Sequence, residues 1–198
     1  GYTFYKPKTE EEQQKIGSFF SLLDQKINLQ SEKIQNLTLY KKGLLQQVMS
    51  REIRFKDSEG REYPEWEEVK LGRIAEINMG QSPGSETYNE ENIGLPLVQG
   101  KGDIKDRVTV PQRYTSKPTK VVNKGSLIMT VRAPVGYMSK CNQKVCIGRG
   151  VCEIKPNINT DFVYQIMILQ ETNWGKLEQG STFTAVSKSD IENLVFEV

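Results

Sequence analysis

A Glu-x-Lys pair, Glu153 and Lys155, is the first pattern in this sequence that could carry out chemistry. Such a pair occurs in many metal-dependent nucleases, where a further upstream carboxylate helps to hold the metal ion that activates water. No Asp or Glu lies between Val121 and Cys152, so the sequence offers no such carboxylate at that spacing. A nuclease is therefore the least favoured interpretation. It would require metal-dependent cleavage that Glu153→Ala abolishes.

Other catalytic patterns also fall short. The sequence has no histidine, which removes the usual general base and the commonest metal ligand. The segment 94–102 has five residues between its first two glycines instead of the four of a phosphate-binding loop, and Gly102 stands where Ser or Thr would bind magnesium. Gly148-Arg149-Gly150 lacks the third glycine of a dinucleotide-binding turn. We therefore expect a binding protein with no catalytic residue, metal ion or cofactor of its own.

Composition fits a water-soluble chain. Hydrophobic residues make up 36% and charged residues 26% of the sequence, a typical globular balance. It contains neither an apolar run long enough for a membrane span nor a signal peptide, so we expect a cytoplasmic protein without a membrane partner. The three cysteines, Cys141, Cys146 and Cys152, have no C-x-x-C spacing and are expected to be reduced and partly buried.

Charge is unevenly distributed along the chain. The net charge is only +2, but residues 101–155 carry 12 Lys and Arg against 3 Asp and Glu. This segregation is typical of a protein that binds a polyanion such as double-stranded DNA. The alternative is a solvated face that the acidic segments neutralise after folding.

The basic segment also mixes cations with aromatic rings and rigid turns. Arg, Lys, Asn and Gln read base edges, whereas Lys, Arg and hydroxyl groups contact phosphates. The candidates for base edges lie in or beside Gly/Pro loops and are Gln81, Gln99, Arg132 and Arg149. The candidates for phosphates are the cations Lys101, Arg113, Lys117, Lys120 and Lys140 and the hydroxyl residues Ser82, Thr182 and Thr184.

A long helix is predicted ahead of these loops. Thr9 followed by three glutamates predicts a capped start, and no proline follows until Pro64. Apolar residues then recur at alternating steps of four and three, as in a coiled-coil seam, with Gln30 and Lys41 at two further seam positions. The apolar seam residues are Ile16, Phe20, Leu23, Ile27, Ile34, Leu37, Leu44 and Val48. We expect this seam to pair with another helix; the alternative is one amphipathic helix lying on its own domain.

Three parts of the chain follow from these patterns. Residues 1–50 are predicted as the coiled-coil helix, 51–64 as a linker and 65–198 as a DNA-binding domain. The fold class is α+β: a long coiled-coil helix followed by a mixed α/β domain. In that domain we expect a helix that begins at residue 159 or 160 and carries Phe162, Ile166 and Leu169 on one face, with Met167 adjacent. The predicted strands span 67–70, 75–79, 95–98, 126–131, 135–139, 145–154 and 194–198, with a short helical turn starting at residue 187.

Several motifs resemble one known family, the specificity (S) subunits of type I restriction-modification systems. In the helix they are residues 7–20, 23–24, 33–34 and 41–46, and after the linker they are residues 63–66, 80–83, 131–136 and 180–182. The resemblance spans almost the whole chain. It implies a target-recognition domain and a spacer helix in a non-catalytic subunit.

The resemblance also implies partners. A full S subunit has two recognition domains, each reading half of a split DNA site, and two long helices that pair antiparallel. Methyltransferase (M) subunits that flip out adenines and restriction (R) subunits assemble on it. S-adenosylmethionine, ATP and magnesium are expected in those partner subunits. This sequence has one helix and one domain, so we expect a half-subunit whose helix pairs with a second copy or with another half. A symmetric homodimer would read an interrupted palindrome.

A different class of function remains open. The helix could belong to a structural adaptor whose globular head binds protein. Such an adaptor would show no salt-dependent affinity for DNA.

Overall fold

Two compact units, Gly1–Lys56 and Asp57–Val198, make up the chain in this computed structural model. The structure describes residues 1–180 and 185–197. The division falls inside the segment 51–64 that was predicted as the linker. Each unit is described by itself below.

The first unit is built on helix α1 (Glu10–Met49), which confirms the predicted long helix. Thr9 is extended, and its Oγ1 accepts a hydrogen bond from the Glu12 N–H at 3.4 Å, as expected of an N-cap. The three acidic residues in the first turn face the positive end of the helix dipole. At the other end, the Ser50 N–H bonds to the Gln46 carbonyl at 2.8 Å. Local capping and an uninterrupted pattern thus define both ends.

Apolar side chains on α1 are open to solvent. The structure describes every residue of this helix, and none is buried. Most of the predicted seam is exposed, with Leu44 and Val48 half-exposed. Exposed apolar residues also lie outside the seam, at Phe19, Leu22, Leu29, Leu39 and Tyr40. The apolar surface is therefore broader than the seam that the sequence predicted.

The second unit contains three β-sheets and three helices among the residues described. Its helices are α2 (Leu71–Ile74), α3 (Thr160–Gly180) and α4 (Lys188–Glu192). Its strands are β1 (Glu68–Lys70), β2 (Ala75–Met79), β3 (Tyr88–Asn89), β4 (Leu95–Val98), β5 (Ile104–Lys105), β6 (Val108–Thr109), β7 (Tyr114–Thr115), β8 (Val121–Val122), β9 (Leu127–Thr130), β10 (Met138–Lys140), β11 (Val145–Ile147), β12 (Val151–Pro156) and β13 (Val195–Glu197). Short 3-10 turns span Ser85–Thr87 and Lys101–Asp103.

The sheets contain two, six and five strands. The small sheet pairs β1 with β13 antiparallel, the second has the order β2-β12-β9-β10-β6-β5, and the third has the order β3-β7-β4-β11-β8. Most pairings are antiparallel, but β10 with β6 and β11 with β4 are parallel. This mixed α/β unit, which follows a long helix in the sequence, confirms the predicted fold class.

The core lies between the six-stranded and five-stranded sheets. All four residues of β9 and all three of β11 are buried, as expected of strands that are covered on both faces. One apolar cluster includes residues from both sheets: Val98, Val122, Ile128, Cys141, Val145, Ile147 and Val151. Strands β4, β8 and β11 of one sheet therefore pack on β9 and β12 of the other.

The predicted strand 145–154 is two strands. Gly148-Arg149-Gly150 interrupts it, so that β11 joins the five-stranded sheet and β12 joins the six-stranded sheet. The predicted strand 135–139 begins later, at Met138, because Gly136 has a left-handed φ of +84° that extended strands do not use. Strands β2 and β4 have the predicted bounds.

The buried face of helix α3 is shifted from the apolar face that the sequence predicted. Of the three residues predicted to share one face, Ile166 is buried, while Phe162 and Leu169 are half-exposed. The Phe162 ring instead packs edge-to-face with Trp66, with 6.1 Å between ring centroids. The buried residues of α3 whose side chains are described are Val163, Tyr164, Ile166, Met167 and Trp174. The buried face is thus centred about one position around the helix from Phe162 and Leu169.

The C-terminal elements follow their local signals. Ser187 caps α4 in a capping box: its Oγ accepts from the Asp190 N–H at 3.2 Å, and Asp190 Oδ2 accepts from the Ser187 N–H at 2.9 Å. The Ser187 hydroxyl also donates to Asp190 Oδ2 at 2.7 Å, and this bond, followed by the one from the Ser187 N–H, lowers the pKa of Asp190. Strand β13 then pairs with β1, with Val69 opposite Phe196. In the described part of the chain, no helix combines the length and the apolar character that crossing a bilayer requires.

The three cysteine thiols are unpaired and buried, and burial raises the pKa of Cys141 and of Cys152 to about 12. Because the thiolate is the reacting species, we expect a disulfide reagent at pH 8 to modify the native thiols at least about tenfold more slowly than those of the urea-unfolded chain. The measurement is a stopped-flow absorbance trace with and without urea. Stoichiometric modification of any thiol of the native chain at the unfolded rate would contradict the described burial.

Candidate nucleic-acid interface

Four loops lie next to one another at the ends of strands from both large sheets. We call them the loop platform: residues 80–82 after β2, 99–101 after β4, 117–120 before β8 and 148–150 between β11 and β12. Backbone hydrogen bonds join them. The Gln81 N–H donates to the Ile147 carbonyl at 3.0 Å, and the Ile147 N–H donates to the Lys120 carbonyl at 2.8 Å. The platform therefore brings together residues that are far apart in sequence.

Glycines allow this close approach. A Cβ on Gly80 would lie 2.1 Å from the Gly148 carbonyl oxygen, and a Cβ on Gly150 would lie 2.0 Å from the Gln99 carbonyl oxygen. Both distances are far inside van der Waals contact, so any side chain there would separate the loops. Arg149 is exposed between two buried glycines. The turn thus presents one arginine to solvent from a tightly packed backbone.

Two hydroxyl groups fasten the platform. Ser82 Oγ accepts a hydrogen bond from the Arg149 N–H at 3.1 Å. Thr119 Oγ1 donates to the Gln81 carbonyl. Ser82 was predicted as a phosphate donor, and that role remains a prediction. Thr119 was missed by the sequence analysis, since nothing local marks a threonine that contacts a loop 38 residues away.

Gln81 and Gln99 differ in their surroundings. Gln81 is exposed, whereas Gln99 is half-buried. The Gln99 Nε2 is buried and has no hydrogen-bond partner among the residues that the structure describes. The Gln99 backbone N–H donates to Asp103 Oδ2 at 2.7 Å. A base contact through the Gln99 amide nitrogen therefore requires the side chain to turn outward, and its predicted role remains a prediction.

Four more of the predicted cations lie on or near the platform. Lys117 and Lys120 are exposed on one of its loops. Arg132 is also exposed, and it lies beside the platform, since the neighbouring Val131 N–H donates to the Gly150 carbonyl at 2.9 Å. Arg113 is also exposed, at the start of β7, where its carbonyl accepts from the Leu97 N–H at 2.8 Å. These positions suit phosphate or base contacts, which remain predictions.

Lys101 and Lys140 have partners within the chain. Lys101 Nζ donates to the Ile104 carbonyl at 3.1 Å and lies 4.2 Å from the centre of the Tyr137 ring. Lys140 forms an ion pair with Asp161, and its Nζ lies 4.7 Å from the Tyr164 ring centre. Lys140 is therefore partly neutralised where the sequence predicted a phosphate ligand.

Two predicted phosphate contacts and Glu153, from the disfavoured nuclease pair, complete the set of candidate residues. Thr182 and Thr184 lie outside the described residues. Glu153 is buried in β12, where its carboxylate accepts hydrogen bonds from Asn78 Nδ2 at 3.1 Å and from Ser126 Oγ at 2.7 Å. These bonds tie Glu153 into the six-stranded sheet.

Comparison with known proteins assigns the chain to a family. The family model described as the type I restriction modification DNA specificity domain matches residues 63–198. The putative type I restriction enzyme MjaX specificity subunit of Methanocaldococcus jannaschii is 37% identical over 194 residues, which cover 93% of this chain and 46% of that protein. The chain therefore belongs to the type I restriction-modification specificity subunit family.

Solved structures agree with this assignment. The HsdS subunit from Thermoanaerobacter tengcongensis superposes with a TM-score of 0.65 at 30% identity, over 95% of this chain and 46% of that one. A chain from a structure on complex assembly and conformational transition of the type I R-M system superposes with a TM-score of 0.63 at 29% identity. The superposition covers 97% of this chain and 48% of that one. This chain spans about half the length of these relatives.

Proposed function

We propose that this chain is a DNA half-specificity unit of a type I restriction-modification system. Its second unit reads one half of a split double-stranded DNA site, and its long helix pairs with the helix of a second copy or of another half. In this role the chain is non-catalytic and cytoplasmic. Methyltransferase subunits that use S-adenosylmethionine, and restriction subunits that use ATP and magnesium, assemble on it.

The loop platform is the observation that supports DNA reading most directly. Within a family defined by DNA specificity, it gathers Gln81, Lys120 and Arg149 on a hydrogen-bonded backbone. Arginine and glutamine are side chains that discriminate base pairs in the major groove, and lysine neutralises phosphates. A rigid scaffold for such residues reduces the ordering cost of binding.

The test is selection of DNA by the full chain from a random duplex library, followed by sequencing. A DNA-reading unit enriches one short motif, and its affinity for the enriched duplex falls steeply as salt rises. An inverted repeat of the motif at fixed spacing indicates a symmetric pair of chains. The adaptor alternative predicts no enriched motif and no salt-dependent affinity. That outcome would overturn this proposal.

Arg132→Ala is expected to weaken binding to the enriched duplex by about 1–3 kcal/mol and to relax the selected motif at one position, if Arg132 contacts a base edge. Lys155→Ala is the matched control. Lys155 is an exposed cation near the C-terminal end of β12, whereas Gly150 of the platform directly precedes the N-terminal end of this strand. The measurement is fluorescence anisotropy on the enriched duplex and on a random-sequence duplex at one salt concentration. An unchanged motif, or an equal loss for both variants, would remove Arg132 from the base-reading set.

A further inference from the structure

A cluster of cations and aromatic rings lies beside the loop platform. Two cations share one ring: Lys101 Nζ lies 4.2 Å and the Arg107 guanidinium carbon 4.9 Å from the centre of the Tyr137 ring. Tyr137 is half-exposed between β9 and β10. Tyr137 is one of the aromatic rings that mix with cations in the basic segment of the sequence. Arg107 was not singled out from the sequence, because its contacts bring together three separate segments.

Hydrogen bonds hold the Tyr137 backbone from both sides. The Tyr137 N–H donates to Thr130 Oγ1 at 3.0 Å, and its carbonyl accepts from the Thr130 N–H at 3.1 Å. The following N–H, of Met138, donates to Glu171 Oε1 at 2.8 Å. The ring is thus attached to a backbone that both β9 and α3 fix in place.

Arg107 is neutralised by Glu171. Its two terminal nitrogens donate to the two Glu171 carboxylate oxygens at 2.6 and 3.0 Å, and this carboxylate raises the pKa of Arg107. Arg107 and the preceding Asp106 have φ values of +64° and +48°, a left-handed turn conformation that is strained for a residue with a side chain. The bidentate ion pair keeps Arg107 in this strained turn.

Two contacts within the chain restrict the Lys101 side chain. Besides the ring, its ammonium group contacts the uncharged Ile104 carbonyl at 3.1 Å. A free lysine loses rotamer entropy when it is immobilised, and these two contacts reduce that cost before any ligand arrives. Lys101 also lies two residues after Gln99, within the platform.

We propose that Tyr137 is a positioning residue that pre-orders Lys101 for a DNA phosphate next to the loop platform. This inference rests on the proposed function. The chemistry of the site identifies the partner. A pre-ordered ammonium group suits a phosphate, and the neighbouring glutamine and arginine side chains suit the base edges that lie beside such a phosphate in DNA. The Arg107–Glu171 pair holds the strands around the ring and adds no net charge.

The test is a double-mutant cycle in the full chain, using a fluorescein-labelled random-sequence duplex and the enriched duplex. Lys101→Ala is expected to weaken binding to both duplexes equally and to lower the salt slope by about 0.9, because it removes one phosphate contact. Tyr137→Leu is expected to weaken binding about 2- to 5-fold, a loss typical of an exposed cation–ring contact. Its salt slope should stay unchanged, because the lysine remains. The double variant should bind no more weakly than Lys101→Ala.

Tyr137→Phe is the matched control, since it keeps the ring and removes only the hydroxyl, and it should bind as wild type does. Thermal unfolding of each variant monitors general damage to the fold. If Tyr137→Leu weakens binding as much in the Lys101→Ala background as in wild type, or if Tyr137→Phe is as weak as Tyr137→Leu, the inference is wrong while the proposed function stands. Absence of salt-dependent DNA binding by wild type would overturn both.

Discussion

Gly136→Ala is expected to lower the free energy of unfolding of the second unit by about 3 kcal/mol. Gly136 has a φ of +84°, and a Cβ there would lie 2.2 Å from Cδ1 of the buried Trp174. The substitution therefore adds backbone strain of about 1 kcal/mol to an overpacking penalty of about 1–3 kcal/mol. Trp174 lies on α3 and cannot retreat without disturbing the packing of that helix on the sheet. The measurement is urea unfolding followed by circular dichroism and tryptophan fluorescence.

Gly125→Ala separates the two causes. Gly125 has nearly the same φ, +89°, but a Cβ there would meet nothing within 4 Å. This control is expected to cost about 1 kcal/mol, from backbone strain alone. Equal losses at the two positions would show that the Trp174 ring does not pack against Gly136. Because β10 and Tyr137 directly follow Gly136, the variant should also weaken DNA binding under conditions where it is still folded.

Sequence patterns predicted the elements whose signals are local. Helix α1 was found because Thr9 caps it and a regular apolar period runs through it. Strands β2 and β4 were found because glycines bound their short β-type runs, with Gly80 after β2 and Gly94 before β4. The two-residue strands β3 and β5 to β8 were not predicted, since two residues have no periodicity. Strand β6 is held by its pairings with other segments: it is antiparallel to β5 and parallel to β10, where Val108 lies opposite Lys140.

The candidate interface was predictable in its parts but not in its arrangement. Gln81 and Arg149 were chosen because each lies beside glycines, and the structure places both on the platform. The groups that hold these side chains in place act across long separations: Thr119 contacts the candidate Gln81 over 38 residues, and Glu171 pairs with Arg107, which was not a candidate, over 64. No spacing rule reports such pairs. For the same reason, sequence spacing did not predict the ion pair between Asp161 and Lys140.

Ile34→Asp is expected to weaken pairing of the long helices more than any single substitution at the DNA interface weakens DNA binding. Ile34 lies in the predicted seam, and its side chain is 64% exposed in the single chain. Burying an isoleucine contributes about 1.5–3 kcal/mol, and a symmetric pair buries it twice. The loss is therefore about 3–6 kcal/mol, a factor of 100 or more in the dissociation constant. Desolvation of the introduced carboxylates adds to this loss.

Leu39→Asp is the matched control. Leu39 is 67% exposed on the same helix, five residues further on, but it lies on the side opposite the seam. Both variants place aspartate in the middle of α1, and Leu39→Asp weakens the helix slightly more through propensity, because leucine is a better helix former than isoleucine. Only Ile34→Asp should shift the chain from dimer to monomer in sedimentation equilibrium over a concentration series. Equal dissociation by both would show that the broad apolar surface of α1, and not the seam, carries the contact.

Helix pairing and DNA reading are then linked by a single selection experiment. If two copies pair through the seam, wild type should enrich an inverted repeat with fixed spacing, because a two-fold axis relates its two reading units. Ile34→Asp should enrich the same motif as a single copy with no spacing preference, since its platform is unchanged. A wild-type chain that is monomeric at high micromolar concentration would rule out self-pairing. The exposed seam would then have to be covered by the helix of a different half.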